Sequence, residues 1–180
     1  MKKLNPPVGE QDHFKGDRKS SIILVEYGDL QCPYCGEAYP VIKEIEKKFK
    51  TQLAFVFRHF PLREVHPYAE AAAVATEAAA RQGKFWEMHD LIYENQMKLG
   101  PEFLSQSARQ LHLDMHAFLQ DINDEELADK VEASFESGVI SGVNGTPSFY
   151  INGTKYEGSY DLRSLSRAIE AAISTHPVAR

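Results

Sequence analysis

Val25-Glu26-Tyr27-Gly28-Asp29-Leu30-Gln31-Cys32-Pro33-Tyr34-Cys35 is the stretch that decides the fold. It leaves a short apolar, β-branched run, Ser20 to Glu26, of the kind that forms a buried strand. A turn at Gly28 to Gln31 follows, and then a helix that should begin at the cysteines and run to about Phe49. Pro33 suits a first-turn position, where its missing N–H costs nothing. Ile42, Ile45 and Phe49 carry one apolar face onward at helical spacing. Pro40 falls inside that helix, removes a backbone hydrogen bond and should kink the axis at a cost of about 3 kcal/mol. A kink that aims the first turn is a reason to keep it.

Working outward, Gln52 to Phe60 alternates, with Leu53, Phe55 and Phe57 on one face, and reads as a second strand. Tyr68 to Gln82 is an Ala-rich helix stopped by Gly83, and Lys84 to Leu99 is another, ending at Gly100. Pro101 opens a third, Asp114 caps a fourth, and Glu125 to Ser137 forms one more. Pro147 to Ile151 then reads as a strand, Asn152-Gly153 as a tight hairpin turn and Lys155 to Gly158 as the return. Asp161 caps a last helix whose apolar face is Leu162, Leu165, Ile169 and Ile173. Strands at both ends thus enclose a block of helices, an α/β core with a helical insertion over about residues 66–140. Residues 1–19 read as an extended lead-in and 20–176 as a single domain.

The chain has 180 residues, 43% of them hydrophobic, enough for a proper core. Its net charge of -6 gives no general attraction to nucleic acid or anionic membranes. No stretch approaches the ~20 apolar residues of a spanning helix. Met1-Lys2-Lys3 begins like a secretory signal, but Leu4-Asn5-Pro6-Pro7 supplies no apolar core, so a cytoplasmic location is expected.

Cys32 and Cys35 are the only cysteines. Two thiols so spaced can form a structural disulfide, share a metal or exchange electrons with another thiol pair. A zinc site needs about four ligands, and neither a second such motif nor a well-placed His pair is present. His112 and His116 are separated by the capping Asp114 and should lie on different elements. A cysteine atop a helix meets unpaired N–H groups and the positive end of the helix dipole, both of which favour thiolate. Cys32 should therefore be acidic and exposed, and Cys35, one turn further in, sheltered. Each unit by which a thiol pKa falls is worth about 1.4 kcal/mol in favour of the charged form, which stabilises the reduced protein and makes the disulfide more oxidising.

Three further segments accompany the motif: Val25-Glu26-Tyr27-Gly28-Asp29, Phe57-Arg58-His59-Phe60-Pro61-Leu62, and Gly142-Val143-Asn144-Gly145-Thr146-Pro147. With them, over roughly residues 18–174, the sequence resembles the thioredoxin superfamily. Within it the likeness is to the DsbA-like thiol–disulfide oxidoreductases, found both alone and as appended domains. The resemblance implies a thioredoxin-like fold with a helical insertion between the second strand and a cis-proline hairpin. It implies Cys32 as nucleophile, Cys35 as resolving thiol and Thr146-Pro147 as the cis-proline segment across from them. There the Thr146 backbone would pair with an extended substrate peptide, with Pro33 and Tyr34 on the same substrate face. Glu26 stands six residues before Cys32, where the family often keeps a buried acid that serves Cys35 as a proton relay. The other reading of Glu26 is a salt bridge with a base such as Arg58. The implied partners are protein thiols and disulfides or glutathione-type small thiols, together with a recycling partner. No cofactor is implied beyond the Cys32–Cys35 pair itself, and no metal, nucleic acid or membrane.

Two departures matter: the best-known periplasmic members have histidine where Tyr34 stands, and they carry export signals. At a cytosolic poise of about -220 to -320 mV a strongly oxidising pair would sit reduced and act as a reductase, isomerase or sensor. The alternatives are therefore a redox-switched binding or sensor module, or a glutathione-linked isomerase on the same fold. The intact cysteine pair argues against the isomerase. His66 reads as a capping or surface residue, and Trp86 and Tyr93 as core of the helical block.

Overall fold

Strand β2, Ile22–Gly28, is the strand that leads along the chain into the cysteine motif. Its residues are buried except Ile23, and both of its edges are paired with neighbouring strands. A computed structural model describes residues 2–175 and sets β2 at the centre of a five-stranded sheet of order β1-β3-β2-β4-β5. Around it the chain runs β1 (His13–Lys15), β2, α1 (Pro33–Phe49), β3 (Leu53–His59), α2 (Ala69–Arg81), α3 (Phe85–Glu94), α4 (Pro101–Gln110) and α5 (Met115–Asp121). It continues through α6 (Glu125–Ser141), β4 (Ser148–Ile151), β5 (Thr154–Tyr156) and α7 (Leu162–Thr175). This is the expected thioredoxin-like α/β fold, with α2 to α6 inserted between β3 and β4.

By its contacts the chain divides into two compact units. One comprises the residues up to Gly28, Glu37–Arg58 and the chain from Ser137 on; the other comprises Asp29–Gly36 and His59–Glu136. The first holds the sheet. β4 runs antiparallel to β2 with Glu26 opposite Phe149 and Tyr27 opposite Ser148. The hairpin turn works as expected, since Asn152 and Gly153 both take positive φ, 47° and 75°. Asp161 caps α7, its Oδ1 accepting from the N–H groups of Arg163 and Ser164 at 3.0 Å each. Those bonds, the one from Ser164 first, hold its carboxyl down at about 2.

Three differences from the sequence reading have physical causes. Strand β1 was not expected. It is three residues long, too short for a periodic signal, and is defined by pairing Phe14 with Val56. Strand β3 alternates in sequence, yet all seven of its residues are buried. Its polar members Arg58 and His59 are buried because they are bonded, as described below. The helix expected over Lys84 to Leu99 stops at Glu94. There Asn95 turns its side chain back onto the Leu91 carbonyl (3.1 Å), and a 3₁₀ turn, Gln96–Lys98, follows.

The second unit is the helical block with the motif loop. In α2 the alanines 69, 72, 73, 75, 78 and 79 are all buried, the small side chains allowing close helix packing. Buried Glu77 in the same helix meets His59 Nε2 at 3.1 Å and Lys130 Nζ at 2.6 Å, so its charge is compensated. Gly83, with φ 73°, ends the helix by donating to Ala80 O, while Lys84 N–H reaches Ala79 O.

Candidate functional site

The cysteines head a helix, as the sequence requires. Cys32 is the N-cap of α1: its carbonyl accepts the N–H of Gly36 at 3.1 Å, and Pro33 takes the first helical position. The helix then runs on through Pro40 to Phe49. The first-turn N–H groups of Tyr34 and Cys35 have no intrahelical carbonyl to meet. Cys35 lies one turn in, and its sulfur accepts the Asp29 N–H at 3.5 Å. Neither cysteine is in a disulfide.

One expectation is corrected here. Cys32 is buried, at 3% exposure, much as Cys35 is at 1%. The backbone of the loop is also clamped from the 3₁₀ turn that follows α3. Gln96 Nε2 donates to Leu30 O (3.0 Å) and Cys32 O (2.9 Å), and Gly36 is a glycine because a Cβ there would strike the Gln96 side chain. Between the two buried cysteines Tyr34 is 61% exposed.

The residue that organises this loop is Asp29, which the sequence reading placed merely in a turn. Its side chain is fully buried. Oδ1 accepts from the N–H groups of Gln31 (2.7 Å) and Cys32 (3.1 Å). Oδ2 accepts from Leu62 N–H (2.8 Å) and meets His66 Nδ1 at 2.7 Å. His66 is thus a ligand of the motif loop rather than a surface or capping residue. The same connection is tied again where Tyr68 N–H donates to Gln31 Oε1 at 2.7 Å. Tyr93, expected as core, is buried and also donates its hydroxyl to Asp29 O at 3.3 Å. An aspartate closing a strand just ahead of an N-cap is Asx-turn chemistry, the one local signal that marks Asp29. Nothing local marks His66, 37 residues away.

Glu26 is buried at 3% on β2. The salt bridge with Arg58 does not form, because that guanidinium is fully engaged. Its Nε and Nη2 hold Asp12 at 2.7 and 3.0 Å. Nη1 donates to Tyr27 Oη (2.9 Å) and Pro6 O (3.0 Å), and Nη2 also to Pro7 O (3.3 Å). Five N–H groups meet five acceptors, the full capacity of an arginine. Burial works against the Arg58 charge, and the bonds to Asp12 and Tyr27 outweigh it, raising its pKa.

Gly28, two residues on, marks a close approach. A Cβ there would collide with the Phe57 ring and lie 3.0 Å from Glu26 Oε1. Gly28→Ala is expected to destabilise the protein by about 1–3 kcal/mol through overpacking against a buried ring. Thermal unfolding checks this, and an unchanged midpoint contradicts the packing. Thr146-Pro147 directly precedes β4, and the bond between them is cis. Ser148, the next residue, is opposite Tyr27 and donates to Gly145 O at 2.7 Å. Among the described residues no three His, Cys, Asp or Glu side chains gather as a metal site, and no helix is long and apolar enough to cross a membrane.

A family model described as "Thioredoxin" matches residues 9–171. The chain belongs to this thioredoxin family. Among solved structures, the fold of this thioredoxin-family chain is shared with oxidised BdbD of Bacillus subtilis, at a TM-score of 0.83 and 21% identity over 93% of this chain and 96% of that one. Alpha-DsbA1 of Wolbachia pipientis gives a TM-score of 0.85 and 23% identity over 96% of each. The fold is therefore the one these two structures share. Curated relatives carry another name. "Na(+)/H(+) antiporter NhaA 1" of Salinispora arenicola is 42% identical over 169 residues, 94% of this chain and 26% of that protein. The NhaA antiporter of Herminiimonas arsenicoxydans is 38% identical over 170 residues, 94% of this chain and 27% of that protein. This thioredoxin-family chain spans about a quarter of the length of the curated relatives it matches.

Proposed function

We propose that the chain is a thiol–disulfide oxidoreductase in which Cys32 is the nucleophile and Cys35 the resolving thiol. The observation that carries this reading is the seat of Cys32 as N-cap of α1, with Cys35 one turn deeper beneath an N–H donor. The partial positive charge of the helix start stabilises a sulfur anion at residue 32.

In the reducing direction the Cys32 thiolate attacks one sulfur of a substrate disulfide. A Cys32–substrate bond forms, the substrate S–S bond breaks, and one substrate thiolate leaves. Cys35, losing its proton, then attacks the Cys32 sulfur, releases the second substrate thiolate and closes the Cys32–Cys35 disulfide. Two electrons pass to the substrate; one substrate thiolate gains the proton that Cys35 releases, and the other is protonated from solvent, which took the Cys32 proton beforehand. The reverse cycle oxidises a substrate dithiol. Glu26 is the proton acceptor and donor for Cys35. Its burial on β2, six residues before Cys32, matches the place where the family resemblance puts the relay acid. Tyr34, 61% exposed beside Pro33, and the Thr146-Pro147 segment would meet the substrate chain.

The substrates are protein thiols or disulfides or small glutathione-type thiols. The direction follows from the reduction potential and the compartment; in a cytoplasm the pair would rest reduced. A titration in glutathione buffers tests the proposal. It should give one two-electron transition in which both cysteines become protected from alkylation together. A midpoint near about -120 mV assigns an oxidant and one near about -270 mV a reductant. Two thiols that stay alkylatable at every buffer ratio overturn it.

A further inference from the structure

Asp29 and His66 are bonded side chain to side chain against the backbone of the cysteine loop, and nothing in the exchange steps above uses them. The pair is built rather than incidental. The Asp29 side chain is fully buried, His66 is 18% exposed, and Nδ1 and Oδ2 are 2.7 Å apart. The other contacts of the carboxylate are backbone N–H groups of Gln31, Cys32 and Leu62, so it ties together both stretches of the same unit. An ionised carboxylate accepts from all four donors.

Charge in this place acts on the cysteines through their reduced form alone. A thiolate is anionic and a disulfide is neutral, so a nearby negative charge favours the disulfide and a nearby positive charge favours the thiolate. With His66 protonated the pair is close to neutral; with His66 neutral it presents the Asp29 charge unbalanced. The other titratable groups meeting the pair are Cys35, whose sulfur accepts the Asp29 N–H, Cys32, and Tyr93, whose hydroxyl donates to Asp29 O. Arg63, on the same connection as His66, is held by Glu70 and Glu132.

We infer that Asp29 and His66 are positioning residues that set the reduction potential of the Cys32–Cys35 pair, Asp29 by fixing the loop and opposing the thiolate, His66 by cancelling the Asp29 charge. This rests on the exchange reading of the cysteines. It also gives the potential a proton dependence beyond that of the thiols themselves.

The test compares glutathione equilibrium constants of the parent, Asp29→Asn, His66→Gln and the double variant at about pH 6, where an ordinary imidazole is largely charged. His66→Gln leaves the carboxylate uncompensated and should shift the equilibrium toward the disulfide. Asp29→Asn should shift it the opposite way, and the double variant should fall between. Each single shift should be on the order of tenfold, from one charge at close range, which is about 30 mV for two electrons. The His66→Gln shift should narrow in alkaline buffer, where the parent imidazole has also lost its charge. A merely structural role moves both variants the same way, or moves stability alone, and either result overturns the inference. Should Asp29→Asn not fold, His66→Gln decides alone: an unchanged constant, or a shift independent of pH, refutes it. A parent that forms no disulfide with glutathione sinks the exchange reading instead, so the two failures are distinct.

Discussion

Cys35→Ser will accumulate covalent complexes with disulfide substrates, and Cys32→Ser will accumulate none. In the first variant the Cys32 thiolate still attacks, but no second sulfur resolves the mixed disulfide, so a transient species becomes the end product. In the second the only remaining thiol lies a turn inside the helix at 1% exposure. The expected contrast is large. Catalysed turnover should fall on the order of a thousandfold or more in both variants, as when a covalent catalyst loses a member of a unit that acts together. Only Cys35→Ser should show bands on a non-reducing gel that a reductant removes. Equal trapping by both variants contradicts the assignment of roles. The experiment bears on the correction made at Cys32 too. A nucleophile at 3% exposure must be reached by a substrate that fits closely or by a small movement of the loop. Selective trapping shows that the route exists.

Arg58→Met will cost about 3–5 kcal/mol of folding stability, the range for removing one partner of a buried ion pair. The side chain meets Asp12 through two bonds, Tyr27 through one, and the carbonyls of Pro6 and Pro7. Methionine fills the volume of the stem but brings none of the five donors, and Asp12, itself only 11% exposed, keeps only the Gly9 N–H among the described partners of its carboxylate. Tyr27 would keep its bond to Ser137 at 2.8 Å, so the loss is concentrated at the N-terminal segment. The melting temperature should drop by on the order of 10 °C. Urea denaturation measures the free energy directly, and a change under about 1 kcal/mol would show that the five bonds contribute little net. Arg58→Lys separates charge from geometry, since an ammonium has three donors where the guanidinium has five.

The parts of the fold that the sequence displays are those encoded locally. Apolar runs of β-branched residues mark β2 and β3, Asn152-Gly153 marks the hairpin, and Asp114 and Asp161 mark two caps that the structure forms with the N–H groups expected. The head of α1 is equally legible, because Pro33 and the cysteine spacing say where the helix starts. What stays hidden is set by residues distant along the chain. Asp29 looks like a turn residue until His66 and Leu62 arrive from beyond β3 to share its carboxylate. Gln96 looks like one more helical residue until a 3₁₀ turn aims its amide at the Leu30 and Cys32 carbonyls. Arg58 looks available to Glu26 until Asp12, in a lead-in without periodicity, claims its fork. In each case a polar side chain picks its partner through tertiary geometry, which no window of sequence contains.

The alkylation rate of Cys32 across a pH series, read site by site by mass spectrometry, tests the central claim most directly. Two forces oppose each other at that sulfur: burial favours the neutral thiol, and the start of the helix favours the anion. The account predicts that the anion wins, so residue 32 reacts ahead of residue 35 and keeps its reactivity well below the ordinary thiol value of about 8.5. A Cys32 that loses reactivity at or above that value, or that reacts no faster than Cys35, would contradict it.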